Sequence, residues 1–237
     1  MTQLALPLTL ADHAHFDSFR DVGNESLVAL LRDLAAGGSG PGSGPGSGPG
    51  CWLWGAPATG KTHLLQAVCE RFRDDSAYVP LAVLNDAAVL DGLAARRCVC
   101  LDDIDRVAGN VSFELALFDL GNQLTDRGGI LVVAAAAAPR EVGIELPDLL
   151  SRLTRLPVFH VEPLDEQGRI EALQLRARHR GLELPSDTAR YLLQRSRRDM
   201  ASLYELLDRL DVAALRAQRR LTIPFVRDIL LRPEIGA

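Results

Sequence analysis

Residues 55–62 read Gly55-Ala56-Pro57-Ala58-Thr59-Gly60-Lys61-Thr62, which satisfies G-x-x-x-x-G-K-[ST] at every fixed position. Lys61 is the sole lysine among 26 basic residues. Arginine's planar fork is too bulky to lie along a phosphate chain wrapped in backbone, whereas a compact ammonium fits. The apolar run 51–54 before the motif reads as a short strand, and 61–72 after it as a helix. In that context the glycines let backbone N–H groups turn inward on phosphate oxygens, and the helix adds its positive N-terminal end. The stretch predicts a site for a nucleoside di- or triphosphate, with Thr62 placing a hydroxyl on Mg²⁺.

About 40 residues further on, Val99-Cys100-Leu101-Asp102-Asp103 is an apolar run ending in two carboxylates. In P-loop proteins such a strand is expected beside the P-loop strand, its first acid holding Mg²⁺, often through water. Asp102 takes that role here, and Asp103 is the candidate for orienting or deprotonating a water. Two acids at a strand end also serve simply as solubilising charges; it is the pairing with an intact P-loop that favours chemistry.

Outward from these motifs, strands are expected at 78–84, 97–101, 130–135 and 157–161. Helices are expected at 87–95, 113–126 and 147–153. Before the P-loop, 16–36 reads as a loop entering an amphipathic helix capped by Asn24 or Ser26, with Leu27, Leu30, Leu31 and Leu34 buried. Apolar strands alternating with helices predict an α/β fold, a parallel sheet covered by helices on both faces. From Asp165 the strand pattern gives way to helical periodicity at 167–180, 186–195, 199–218 and 224–231, a small all-helical lid. The expected organisation is an N-terminal tail, 1–12, an α/β nucleotide-binding domain, 13–163, and a helical lid, 164–237. Residues 37–50 repeat Gly, Ser and Pro, and are expected to be a flexible surface insertion within the first domain.

Composition excludes several classes. The chain has 237 residues, 47% apolar and 24% charged, ordinary for a soluble protein. No apolar run is long enough for a membrane span, and the N-terminus lacks a signal peptide's basic and hydrophobic regions. The net charge of −5 hides an asymmetry: residues 1–150 carry 10 basic and 19 acidic side chains, residues 151–237 carry 16 arginines and 12 acids. That arginine excess suits an acidic partner or nucleic acid, and equally a set of solvated helix faces. Cys51, Cys69, Cys98 and Cys100 form no C-x-x-C pair and no metal spacing with histidine; Cys98 and Cys100 alternate as small core residues. A reducing cytoplasm is the expected location.

The P-loop, the Asp-Asp motif and a helical lid together resemble the AAA+ ATPases over nearly the whole chain after residue 15. The resemblance narrows to the branch around the replication initiator DnaA. Phe16-Asp17-Ser18-Phe19 with Val22-Gly23-Asn24 is similar to that branch's entry segment, which packs on the adenine, and Leu101-Asp102-Asp103-Ile104 to its acidic motif. Leu150-Ser151-Arg152-Leu153 is similar to its Ser-Arg box, whose arginine reaches a neighbouring subunit's nucleotide. DnaA's basic DNA-binding domain would follow the lid, but the sequence ends at Ala237. The resemblance is therefore closest to the Hda family of DnaA-like regulators. Gln174-Leu175-Arg176-Ala177-Arg178 with Gly181, and the segment 217–226, resemble that family's lid.

The resemblance implies an adenine nucleotide, ADP or ATP, with Mg²⁺, contacted by Val22, Gly55, Ala58, Thr59, Gly60, Lys61, Thr62 and His63. It implies pairing with ATP-bound DnaA on the DNA-loaded sliding clamp, the β subunit of DNA polymerase III. DNA is then met mainly through the clamp, at the replisome of a bacterial nucleoid, and no membrane is involved. Arg152 would act in trans as the arginine finger that triggers hydrolysis of DnaA's ATP and so switches initiation off. Gln3, Leu4, Leu6, Pro7 and Leu8 resemble a clamp-binding peptide, although a frayed terminus or a docked strand reads as well from so short a stretch. Arg152 alone also reads as an ion-pairing residue at a helix end, with Arg155 its neighbour and competitor.

Two departures bear on hydrolysis. The family has a polar residue after the strand at 130–133, where this chain runs Ala134-Ala135-Ala136-Ala137-Ala138. Its lid arginine aligns near Ala201, leaving Arg197 or Arg198 as substitutes. Feeble intrinsic ATPase activity is therefore expected, with ADP the expected occupant. The alternatives are a self-hydrolysing AAA+ ATPase, such as a helicase loader or DNA-remodelling protein, and a DNA-associated scaffold. A monomer and a homodimer both remain open.

Overall fold

Alternation along one strand divides the core of the first 163 residues. In β1 (Gly50–Trp54) successive side chains point to opposite faces of the sheet, so Cys51 and Leu53 join one apolar cluster and Trp52 the other. Four more parallel strands complete the sheet: β2 (Ser76–Pro80), β3 (Cys98–Asp102), β4 (Ile130–Ala135) and β5 (Val158–His160). Their order is β2-β3-β4-β1-β5. Helices α1 (Glu25–Ala35) and α2 (Lys61–Phe72) bury leucines on the first face, and α3 (Val111–Asp126) and α4 (Pro147–Leu153) on the second. The anticipated α/β sandwich is thus present. All four cysteines are free thiols buried in the first cluster.

A computed structural model describes residues 14–38, 48–195 and 200–231, and the chain divides into two compact units, Met1–Pro163 and Leu164–Ala237. Four details differ from the sequence expectations. The strand expected beside the P-loop strand is not its neighbour, because β4 lies between β1 and β3. The strand expected at 78–84 starts two residues earlier and ends at Pro80, after which Leu81–Val83 is a 3-10 turn; proline has no N–H to continue a ladder. The helix expected at 87–95 is two 3-10 turns, Ala87–Leu90 and Leu93–Ala95, broken where Gly92 adopts φ +77°.

The fourth difference concerns the glycine-rich repeat. Residues 39–47 lie outside the described residues, but its last members are built into the sheet. The Pro49 carbonyl accepts from the Leu131 N–H at 3.0 Å, and Gly50 opens β1, buried and paired with Leu131. A Cβ on Gly50 would collide with the Leu131 carbonyl. The strand therefore needs glycine there.

The lid is a helical unit of its own: α5 (Glu166–His179), α6 (Ser186–Arg195), α7 (Met200–Ala217) and α8 (Ile223–Leu230) surround a leucine-rich core. α5 is closed just beyond its C-cap Arg180 by Gly181, φ +74°, and the Leu182 N–H reaches back to the Ala177 carbonyl at 2.9 Å as C-terminal caps do. Polar residues singled out in the lid tie it together. Gln174 donates to the Leu184 carbonyl and Ser186 Oγ. Arg176 pairs with both oxygens of Asp208 and lies 4.3 Å from the Tyr204 ring centroid. Arg180 bridges Asp208 and Asp211. These pairs account for part of the arginine excess by contacts within the lid.

Gly50→Ala is expected to lower stability by about 1–3 kcal/mol, as backbone clashes in a paired strand do. Denaturant unfolding measures it, and an unchanged midpoint would mean that β1 does not approach β4 as closely as described.

Candidate nucleotide site

The P-loop leaves β1 at Trp54, and backbone geometry explains its residues. At Gly55 a Cβ would stand 2.8 Å from the Val161 carbonyl, and at Gly60, φ +98°, 2.7 Å from the Phe19 ring. Ala58 takes φ +63°, a left-handed conformation costing an alanine roughly 1–2 kcal/mol. The Thr59 hydroxyl donates to the Ala56 carbonyl at 3.0 Å. Lys61 opens α2 and is 8% exposed. Its Nζ donates to the carbonyls of Gly55, 2.7 Å, and Ala56, 2.9 Å. Burial lowers its pKa, opposed by the carboxylates of Asp102, Asp103 and Asp105.

Asp102 ends β3 with its side chain almost wholly buried, 2% exposed. Although β4 intervenes between the strands, the start of α2 reaches it: Thr62 Oγ1 donates to Asp102 Oδ2 at 2.7 Å. The Tyr78 hydroxyl, from β2, donates to the same oxygen at 2.9 Å. The Asp103 N–H donates to Oδ1 at 3.1 Å. Burial and the adjacent carboxylate raise the Tyr78 pKa, so the phenol stays a donor. Asp103 itself sits at φ +56°, and its pKa is raised by burial, then by Asp102 and Asp105.

Sequence reasoning missed Tyr78 and Asp105. Asp105 Oδ1 accepts from the Ala136 N–H at 2.9 Å, so a carboxylate from the turn after β3 stands against the alanine run. The signal was available as a third acid two residues beyond Asp103. The Trp52 indole N–H donates to the Ala137 carbonyl at 3.0 Å, fixing the run from below.

The entry segment lies on this machinery. Phe16 is buried, and Phe19 packs 5.6 Å from the His63 ring. His63 Nε2 is 3.0 Å from the His15 carbonyl and 3.3 Å from Ser18 Oγ. Asn24 precedes α1 but makes no capping bond; its amide instead clips both the N–H and the carbonyl of Glu162. That clip pins the entry segment to the chain after β5 and leaves Val22 53% exposed beside it.

These residues fit a nucleotide and Mg²⁺. Glycines sit where side chains would collide, the loop's backbone precedes a helix N-terminus, and the metal end offers hard oxygen donors. Among the described residues no group of three or more His, Cys, Asp or Glu is arranged to hold a metal. A Mg²⁺ site needs only one or two protein oxygens, the rest coming from phosphates and water.

Arg152 is elsewhere. It lines a small cavity with Gly48, Pro49, Gly129 and Leu131, at the N-terminal ends of β1 and β4, whereas the P-loop leaves the C-terminal end of β1. About one strand length, roughly 15 Å, separates them. Its guanidinium donates to the Gly121 carbonyl at 3.1 Å, Thr125 Oγ1 at 2.9 Å and Asn122 Oδ1. It also lies over the Phe118 ring, while its Nε is buried without a partner. The expected ion pair at a helix end is therefore a set of neutral hydrogen bonds to α3. Arg155 is exposed, and its guanidinium has no hydrogen bond or ion pair among the described residues. Arg197, Arg198 and the tail residues Gln3, Leu4, Leu6, Pro7 and Leu8 lie outside the described residues.

Asp103→Asn is expected to stabilise the ligand-free protein at neutral pH. An acid whose folded pKa exceeds its unfolded value of about 3.9 costs stability above the raised value and nothing below the unfolded one. The gain should therefore fade as pH drops towards 4, in melts of both proteins run across pH 4–8. A gain independent of pH would contradict the charge argument.

The comparisons with known proteins agree with this geometry. Residues 165–230 match the family model described as the lid domain of Hda. Domain III of the replication initiation protein DnaA from Thermotoga maritima shares the fold with a TM-score of 0.72 at 19% identity, over 93% of this chain and 96% of that one. AMPPCP-bound DnaA from Aquifex aeolicus gives 0.65 at 18%, over 88% and 68%. The RuvB Holliday junction branch migration motor of Thermotoga maritima gives 0.59 at 16%, over 89% and 67%. The lid segment thus matches the Hda lid-domain model, and the chain shares its fold with DnaA domain III and with the RuvB motor.

Proposed function

We propose that this chain is a regulator of replication initiation. It holds an adenine nucleotide in its own P-loop and stimulates hydrolysis of ATP bound to a DnaA-type partner. The observation that carries the reading is the pairing of an Hda-type lid with a Ser-Arg box whose arginine lies about one strand from its own P-loop. An arginine so distant from its own P-loop could act on a phosphate only in another subunit's site. There a guanidinium neutralises charge developing on the transferred phosphoryl group. Docking on the partner would exchange the contacts of Arg152 with α3 for that charge.

In the chain's own site, Gly55, Ala58, Thr59, Gly60 and the start of α2 would cradle the phosphates, with Lys61 alongside. Val22 and His63 would flank the nucleoside. Thr62 and Asp102 would hold Mg²⁺, which supplies charge neutralisation at the phosphates. ADP is the favoured occupant, because Asp105 and Asp103 bring carboxylates towards Lys61 where a further phosphate would add negative charge. The tail, through Gln3, Leu4, Leu6, Pro7 and Leu8, would reach the sliding clamp as an extended peptide with a glutamine in a polar notch and leucines in an apolar groove. The setting is then the cytoplasmic replisome, with DNA met through the clamp.

A second reading, a self-hydrolysing ATPase, is favoured by one observation: Thr62 and Asp102 are already hydrogen-bonded in the arrangement a metal site needs. It requires Asp103 to act on water at this chain's own nucleotide.

The reading is tested by hydrolysis of DnaA-bound ATP with DNA-loaded clamp, comparing wild type with Arg152→Ala and Gln3→Ala. Arg152→Ala should abolish stimulation, since such fingers are worth about 10³–10⁵ in rate. Gln3→Ala should weaken it in a way that excess clamp restores. Full stimulation by both variants would contradict both assignments.

A further inference from the structure

We propose that Tyr78 is a positioning residue of the metal end of this site, fixing Asp102 so that the Thr62 hydroxyl presents its lone pairs to a divalent cation. The inference rests on the nucleotide-binding reading and extends it to a residue on an outer strand.

The register explains how a residue so far from the P-loop takes part. Tyr78 pairs with Cys100 across β2 and β3, and Pro80 with Asp102. Asp102 is thus the diagonal neighbour of Tyr78, two residues further along the adjacent strand and on the same face. A strand spacing of about 4.8 Å and a two-residue rise of about 6.6 Å make that diagonal roughly 8 Å, within reach of an aromatic side chain. The phenol covers that offset, and its hydroxyl meets Asp102 Oδ2 at 2.9 Å.

Counting acceptors shows what the contact does. An ionised carboxylate offers about four lone-pair directions. Oδ2 receives Thr62 and Tyr78, and Oδ1 receives the Asp103 N–H. One direction on Oδ1 is left for a metal-bound water. The Thr62 hydrogen is committed to Oδ2, so the lone pairs of its oxygen face away from Asp102. Without the phenol, Oδ2 keeps Thr62 as its one side-chain donor among the described residues. The carboxylate is then free to turn about its terminal torsion, and the hydroxyl direction is no longer set.

A purely structural tyrosine would support the fold and affect nucleotide binding equally with or without metal. The two roles separate in a calorimetric titration of ADP into the full chain, in Mg²⁺ and again in EDTA. Four proteins are compared: wild type, Tyr78→Phe, Asp102→Asn and the double variant. Phenylalanine keeps the ring and its packing. Tyr78→Phe should weaken ADP binding about tenfold in Mg²⁺, the scale of one hydrogen bond to a charged group, and less than twofold in EDTA. Adding it to Asp102→Asn should cost nothing more. Equal losses in the two conditions, tighter binding in Mg²⁺, or an additive loss in the Asp102→Asn background would overturn the proposal. Wild type that binds no ADP in either condition would remove the nucleotide reading itself, and this inference with it.

Discussion

A carboxylate 2% exposed to solvent is the constraint on which the first unit depends. Leaving the ionised Asp102 in an apolar sheet without partners would be prohibitive. Three elements supply its donors: Thr62 from the start of α2, Tyr78 from β2, and the Asp103 backbone as the chain leaves β3. The same contacts that satisfy the charge fix the P-loop helix against strands that are not its neighbours in the sheet. Stability and chemistry share these atoms.

Around that anchor the site is acidic in a graded way. Asp102 is committed to hydrogen bonds, Asp105 is moored on the Ala136 N–H, and Asp103 is held at a left-handed turn with its pKa raised. Lys61 is the counter-charge to all three. In the reading proposed above, such a site holds a nucleotide rather than expelling its terminal phosphate. Arg152, the residue proposed above to act on a partner's phosphate, lies at the opposite, N-terminal ends of β1 and β4. The division of labour proposed above follows from this separation of the two cationic groups.

Much of this was legible in the sequence because periodicity and motif spacing are local. α2, β4, α4 and α6 fall at the residues their patterns indicated. What escaped reading was non-local. The position of β4 between β1 and β3 depends on how crossovers pack, which no single strand encodes. The Tyr78 hydroxyl matters only through its register with β3, and the Asn24 side chain looked like a helix cap but serves the chain after β5. Gly50 looked like the last link of a loop, and its need for glycine appears only when the Leu131 carbonyl is opposite it. The alanine run has no polar side chain of its own, and that Asp105 reaches its backbone from the turn after the neighbouring β3 shows only in the fold.

The central claim is that the nucleotide in this chain is held, and that the hydrolysis that matters belongs to a partner. A single-turnover experiment tests it most directly: excess purified protein is mixed with ATP labelled at the terminal phosphate, and bound label and released phosphate are followed together, with Lys61→Met as the binding control. The account predicts that wild type retains label with negligible release over many minutes, while Lys61→Met retains none. Rapid release of phosphate by wild type alone would contradict it and make the chain an ATPase in its own right.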